Sequence, residues 1–202
     1  MSAYLLQILA LFGAFWTAVF LFYRREQAGN SARFVLGLGL GALLAHLGWA
    51  LLHLPLVREH PWAVLDPAKG FCVLFVPLGP LLLTPWAAAL SALPLALAVA
   101  RLGCLVAGCC GGAQGEPTPL YEIAGLVALH AVVWRLPDRW VVPTVLAGLG
   151  LVRLGVEPWR AAPPLGEPMV SAATIAALWL ALGLFLAARV AVRASRIVRA
   201  KR

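Results

Sequence analysis

Charge is what this sequence has least of. Only 12% of its 202 residues are charged, and acidic residues number 8 against 16 basic ones. A soluble domain carries about a quarter charged residues. With 62% hydrophobic residues and a mean hydropathy of +0.91, the chain has more apolar surface than a core of its own size can hide. That excludes an ordinary soluble domain and points to a polytopic membrane protein. Lysine is nearly missing, at 2 against 14 arginines, while Ala, Leu, Pro and Trp are abundant, a composition that suggests a GC-rich bacterial genome. The shortage of acid leaves a net charge of +8. This is not a nucleic-acid signal, because the positive charges gather at segment ends and at the C-terminus, where they meet anionic lipid headgroups. The 4 cysteines show neither a redox C-x-x-C nor a zinc-ribbon spacing. No repeat, nucleotide-binding loop, soluble domain or standard metal motif is present, so neither a metal nor a cofactor is expected.

What is present is a series of apolar runs. The N-terminal stretch MSAYLLQILALFGAFWTAVFLFYRREQ lacks a basic start and a small-residue cleavage pattern, so it reads as a retained first helix. A membrane span needs roughly 20 apolar residues. The pattern predicts an all-α bundle with seven segments, at about 4–23, 34–54, 69–84, 86–107, 119–135, 140–156 and 169–188. The third and fourth, joined by PLGPLLLTPW (77–86), can instead form a re-entrant pair or a broken helix. Residues 1–202 form one integral membrane domain with a basic tail at 189–202. Positive residues in short loops mark the cytoplasmic side. Arg24, Arg25 and Arg33, then Arg135 and Arg139, then Arg189 to Arg202 all fall on one side if the chain crosses seven times. The expected location is the bacterial inner (cytoplasmic) membrane, N-terminus outside and C-terminus cytoplasmic. The loop after Arg101, with Cys109 and Cys110, then faces outside.

Some charges do not belong to loops. Arg101 sits late in the fourth segment and Arg153 late in the sixth. A charge inside a membrane costs a few kcal/mol and marks a functional site by default. The plainer alternative is snorkelling, in which an arginine near a helix end lifts its head to the interface. Two arginines at matching depth favour anion binding, and the membrane's own anion is the phospholipid phosphate, which a guanidinium grips with a planar fork. Glu122 and Glu157 can hold these arginines, though an Arg153–Glu157 pair at i,i+4 is equally a structural contact. His46 and His53, seven residues apart, share a helix face with Trp49 between them. Either can act as a general base or simply be satisfied by a neighbouring helix. Cys104, Cys109 and Cys110 have three readings: a disulfide, thiols activated by Arg101, or small residues that let helices approach. Gly103, Gly108, Gly111 and Gly112 suit close helix approach and a tight loop beside a lipid headgroup.

The stretch RLGCLVAGCCGG (101–112), followed by EPTPLYEIAGLVAL (116–129), resembles the signature region of prolipoprotein diacylglyceryl transferases and their cysteine-containing relatives. Arg101-Leu102-Gly103 matches the opening of that signature. Pro117-Thr118-Pro119-Leu120-Tyr121-Glu122 matches its P-T-x-L-Y-E. RLGVEPWR (153–160) looks like a second family motif and contributes Arg153, Glu157 and Arg160. The departures are Ala100 for a glycine, Leu43 for an arginine, Leu74 for the family's histidine, and Cys104 and Cys109 for an asparagine and an acidic residue. The resemblance implies transfer of a diacylglyceryl group from phosphatidylglycerol to a thiol, such as a lipoprotein cysteine. Arg101 and Arg153 would hold the phosphate, with Gly103, Gly108, Gly112, Tyr121, Glu122 and Arg160 around the lipid. With the family histidine replaced, His46, His53 or Glu157 would serve as base.

Two rivals follow from the same residues. A membrane thiol–disulfide oxidoreductase would work through Cys104, Cys109 and Cys110 and would show a redox-sensitive thiol pair. A non-catalytic phospholipid-binding protein would keep the lipid site without turnover.

Overall fold

The computed structural model describes residues 3–26, 31–62, 75–83, 86–108, 112–160 and 171–200. These are helical, apart from connecting turns and one isolated bridge between Gly112 and Arg160. In chain order the helices are α1 (Ala3–Glu26), α2 (Ser31–Leu52), α3 (Leu54–Glu59), α4 (Leu78–Leu83), α5 (Trp86–Ala107), α6 (Thr118–Val133), α7 (Asp138–Val156) and α8 (Ala172–Ala200). A single 3-10 turn, Glu157–Trp159, follows α7. Among the described residues, five helices are long and apolar enough to cross a membrane: α1, α2, α5, α7 and α8. These are the helices of a multi-pass membrane protein.

The sequence pattern implies seven spans, and the two remaining segments differ from the five for identifiable reasons. Two prolines, Pro117 and Pro119, set the start of α6, and Pro137 lies just before α7. α6 is therefore held to 16 residues, about 24 Å at helical rise. The expected segment at 69–84 contributes only the six-residue α4, and its residues 69–74 lie outside the described ones. The fourth segment forms α5, which runs 22 residues, carries Pro94 inside it and is long and apolar enough to span.

α5 is the central helix. Leu90, Leu93 and Leu97 on one face pack with Leu126, Leu129 and Val133 of α6 and with Val141, Val145 and Leu149 of α7. Its alanine face, Ala88, Ala89, Ala92 and Ala96, meets Ala18 and Phe22 of α1 and Phe34 of α2. Small residues there let the backbones close up, the usual device where lipid offers no hydrophobic drive to association. The Phe22 and Phe34 rings stack at 4.1 Å between centroids. At the α7–α8 contact a Cβ on Gly150 would collide with the backbone of Ala176 and lie 2.7 Å from the nitrogen of Leu180. The outward faces are apolar instead: Phe12, Trp16 and Phe20 on α1, and Leu178, Leu182 and Phe185 on α8, are each more than two-fifths exposed. An apolar surface of this extent suits lipid, not water.

Contacts between named residues give each helix its direction. Gly103 of α5 lies against Ala10 and Gln7 of α1, whereas Arg25 of α1 reaches Asp138 of α7. His130 of α6 meets Ser91 of α5, Gly125 meets Val152, and Gly183 meets Ala147. The bundle therefore has an Arg101 end and an Arg25 end. Among the described arginines at helix ends and short turns, Arg24, Arg25, Arg33, Arg135, Arg139 and those following Phe185 gather at the Arg25 end, while Arg58 of α3 stands at the Arg101 end. α2 finishes at the Arg101 end and α5 begins at the other. Between them, Phe75, Val76 and Pro80 lie in turn against Gly48, Gly41 and Gly37 of α2. That stretch runs back along α2 toward the Arg25 end.

Candidate functional site

The charged residues of the apolar segments meet at the Arg101 end. Arg101 lies two turns before α5 stops at Gly108, whose φ of +65° is the left-handed conformation that ends helices. Glu122 comes one turn into α6, directly after the proline pair. Arg153 is in the last turn of α7, and the Pro158-containing 3-10 turn swings Arg160 back toward it. A tight turn closes above them. Gly112 donates its N–H to the Glu116 carbonyl at 2.7 Å, and Ala113 donates to the Trp159 carbonyl at 3.0 Å. Gln114 N–H donates to the Glu116 carboxylate at 2.9 Å, and Gly115 takes φ +89°. Glycine is required at 112 because a Cβ there would run into Glu116 and the Trp159 carbonyl.

Glu122 is the hub. Its side chain is only 4% exposed, and three guanidiniums converge on it. Oε1 accepts from Arg153 Nη1 at 2.8 Å and from Arg160 Nη1 at 3.1 Å, while Oε2 pairs with Arg101 Nε. Arg153 Nη2 also lies 3.1 Å from Glu157 Oε2. That second contact is close enough for charge attraction but not aligned as a hydrogen bond. Among the described residues, Arg153 Nε is buried without an acceptor, and Glu157 Oε2 is buried without a donor. Among the described direct ion pairs, three guanidiniums meet two carboxylates, an excess of one positive charge in a poorly solvated place. An open donor, an open acceptor and surplus positive charge together suit an anion that also carries a hydroxyl or thiol proton.

The other expected site residues fall as follows. Tyr121 is half exposed at the rim, its ring edge-on to Trp159 at 6.0 Å. Cys104, one turn after Arg101, has its sulfur 3.8 Å from Arg101 Nη1. Cys109, Cys110 and Gly111 lie outside the described residues, as does Leu74. Gly103 faces α1, where a Cβ would come within 2.8 Å of Ala10 Cβ. It serves helix packing. Gly108 is a helix terminator with no atom of the described residues within 4 Å of an added Cβ, and Gly112 belongs to the turn. His46 of α2 and His53, in the turn just after it, flank Trp49 in a stacked ladder, with centroids at 6.0 and 5.0 Å. α2 packs chiefly on α1 and α4, whereas the arginines stand on α5 and α7 and just beyond.

Two features escape a reading of the sequence. Trp159 holds the turn through its carbonyl, a backbone role that leaves no side-chain signal. His130, in the last turn of α6, donates from Nδ1 to the Ser91 carbonyl at 3.1 Å and packs beside Trp134. Its position in a long apolar run was the available signal.

No family model, curated protein or solved structure matches the chain.

Proposed function

We propose that the Glu122 cluster holds the phosphate of phosphatidylglycerol and that the chain transfers the lipid's diacylglyceryl group to a thiol. The observation that carries this reading is the charge surplus at the cluster, together with the open Arg153 Nε. A phosphate accepts from the outer edges of the guanidiniums without dismantling the Glu122 hub, and the buried Nε reaches it once the Arg153 side chain turns outward. The transfer itself rests on the resemblance of 101–122 and 153–160 to prolipoprotein diacylglyceryl transferases. In that reaction the acceptor's sulfur attacks the terminal glycerol carbon of the diacylglyceryl group. The carbon–oxygen bond to phosphate breaks, and glycerol phosphate leaves with the electron pair. The arginines stabilise the charge on the leaving group. Glu157 Oε2, lacking a donor of its own, takes the thiol proton.

The membrane arrangement belongs to the same proposal. Seven crossings are supported by the alternating helix directions, with α6 and the run at 75–83 as the short ones. Grouping of the loop arginines at the Arg25 end supports a cytoplasmic location for that end. The cluster then faces the outer leaflet of a bacterial inner membrane, with the N-terminus outside.

The test is the purified chain in phosphatidylglycerol nanodiscs with a cysteine-containing lipoprotein peptide. Release of glycerol phosphate matched by a thioether-linked peptide is the expected result. Lipid binding without release would leave a phospholipid-binding protein and remove the transferase.

A further inference from the structure

α8 is longer than a membrane requires. Its 29 residues span about 44 Å, against a hydrocarbon core of about 30 Å. Its first part is covered by α7, where Ala176, Leu180 and Gly183 meet Gly150 and Ala147. Beyond Gly183 the helix carries Arg189, Arg193 and Arg196 at i, i+4 and i+7, so the three share one face. All are exposed, and residues 172–202 contain no acidic side chain. Among the described residues no carboxylate pairs with them, and Asp138, at the same end, is engaged by Arg25 at 2.7 Å. On the same face lie Phe185, one turn before Arg189, and Val192, next to Arg193, each more than half exposed. Together with Ala188 these residues line a shallow, open groove of about 270 Å³ formed by α8 alone, with the Arg189 guanidinium 5.6 Å above the Phe185 ring.

We propose that this groove is a second lipid site, which takes an anionic phospholipid from the leaflet at the Arg25 end. The guanidiniums hold the phosphate and headgroup charge, and Phe185 and Val192 take the upper acyl chain. The charge pattern selects this occupant. A lipid presents its phosphate at the depth where a long helix emerges, and its chain continues along the apolar face below. The site lies at the opposite end of the bundle from Glu122, so its function is independent of that cluster.

The test reads the groove locally. A bimane label is placed on Ser195→Cys in a chain whose other cysteines are replaced, and the protein is reconstituted in phosphatidylcholine vesicles. Phosphatidylglycerol spin-labelled near the headgroup is compared as a quencher with equally labelled phosphatidylcholine at the same mole fraction. Phosphatidylglycerol is expected to quench more strongly, as a local excess. Replacing Arg189, Arg193 and Arg196 with glutamine is expected to reduce that excess by about fivefold or more, since each basic residue near an anionic surface contributes roughly that factor. Lysine at the three positions should retain most of it, and Arg153→Gln should leave it unchanged. Equal quenching by the two lipids in the unmodified stripe overturns the proposal, whether or not any variant folds. An unchanged excess in the glutamine variant also overturns it, and is the result expected if the stripe instead serves an acidic protein.

Discussion

Glu122 Oε1 and Arg153 Nη1 are 2.8 Å apart, and this hydrogen bond ties the first turn of α6 to the last turn of α7. The same carboxylate also holds Arg101 of α5 and Arg160 beyond the 3-10 turn. One acidic side chain thus joins three elements and keeps three like charges together.

Removing that hub is the most damaging single change at the site. Glu122→Ala leaves guanidiniums facing one another in a poorly solvated place, and breaking a buried pair from one side costs about 3–5 kcal/mol. A clear fall in the unfolding temperature of the detergent-solubilised protein is expected, with partial recovery in added phosphate. An unchanged unfolding temperature would mean that the arginines rearrange freely and that Glu122 holds nothing.

Arg153→Lys keeps the charge and loses the fork. An ammonium cannot reach Glu122, Glu157 and a ligand from one planar group. Phosphatidylglycerol binding should weaken roughly tenfold, the equivalent of about one lost charge-assisted hydrogen bond. Titration of the purified variant with phosphatidylglycerol in mixed micelles measures this directly. Equal affinity would show that Arg153 is a structural partner of Glu122 alone.

Two glycines of α7 make a matched pair. Gly150→Leu drives a side chain into Ala176 and Leu180 of α8, an overpacking that costs about 1–3 kcal/mol. Gly155→Ala, with no atom of the described residues within 4 Å of its added Cβ, should be neutral or gain up to about 1 kcal/mol of helix stability. Chemical unfolding of both variants in the same detergent decides it, and equal effects would argue against the α7–α8 contact.

At the opposite end, Arg25 does more than its ion pair suggests. Asp138 is largely exposed, so the Arg25–Asp138 pair is worth at most about 1 kcal/mol. Arg25 also donates to the Leu136 carbonyl at 3.3 Å and lies 5.8 Å over the Trp134 ring. Arg25→Ala should therefore destabilise more than Asp138→Ala. A double-mutant cycle should return a small coupling that shrinks with salt. A coupling as large as the whole Arg25→Ala effect would refute this division.

Sidedness can be read from two described positions. Single cysteines at Gln114 and Ser195, in an otherwise cysteine-free chain, are exposed to an impermeant reagent on intact cells. Labelling at 114 and not at 195 is expected; the reverse pattern would invert the topology.

The apolar runs and scarce charge by themselves determined that the chain is helical and membrane-embedded, because burial of so much hydrocarbon has no other outlet. Single residues such as Arg101, Glu122 and Arg153 were legible as charges where charge is costly. Their meeting on one carboxylate was not, since α5, α6 and α7 come together through packing between residues distant in sequence. The turn at Gly112–Glu116 depends on backbone groups of Trp159, which no side-chain pattern announces. The role of Gly103 was also undecided until α1 was seen against it: a glycine's missing Cβ says that something comes close, and only the tertiary structure says what.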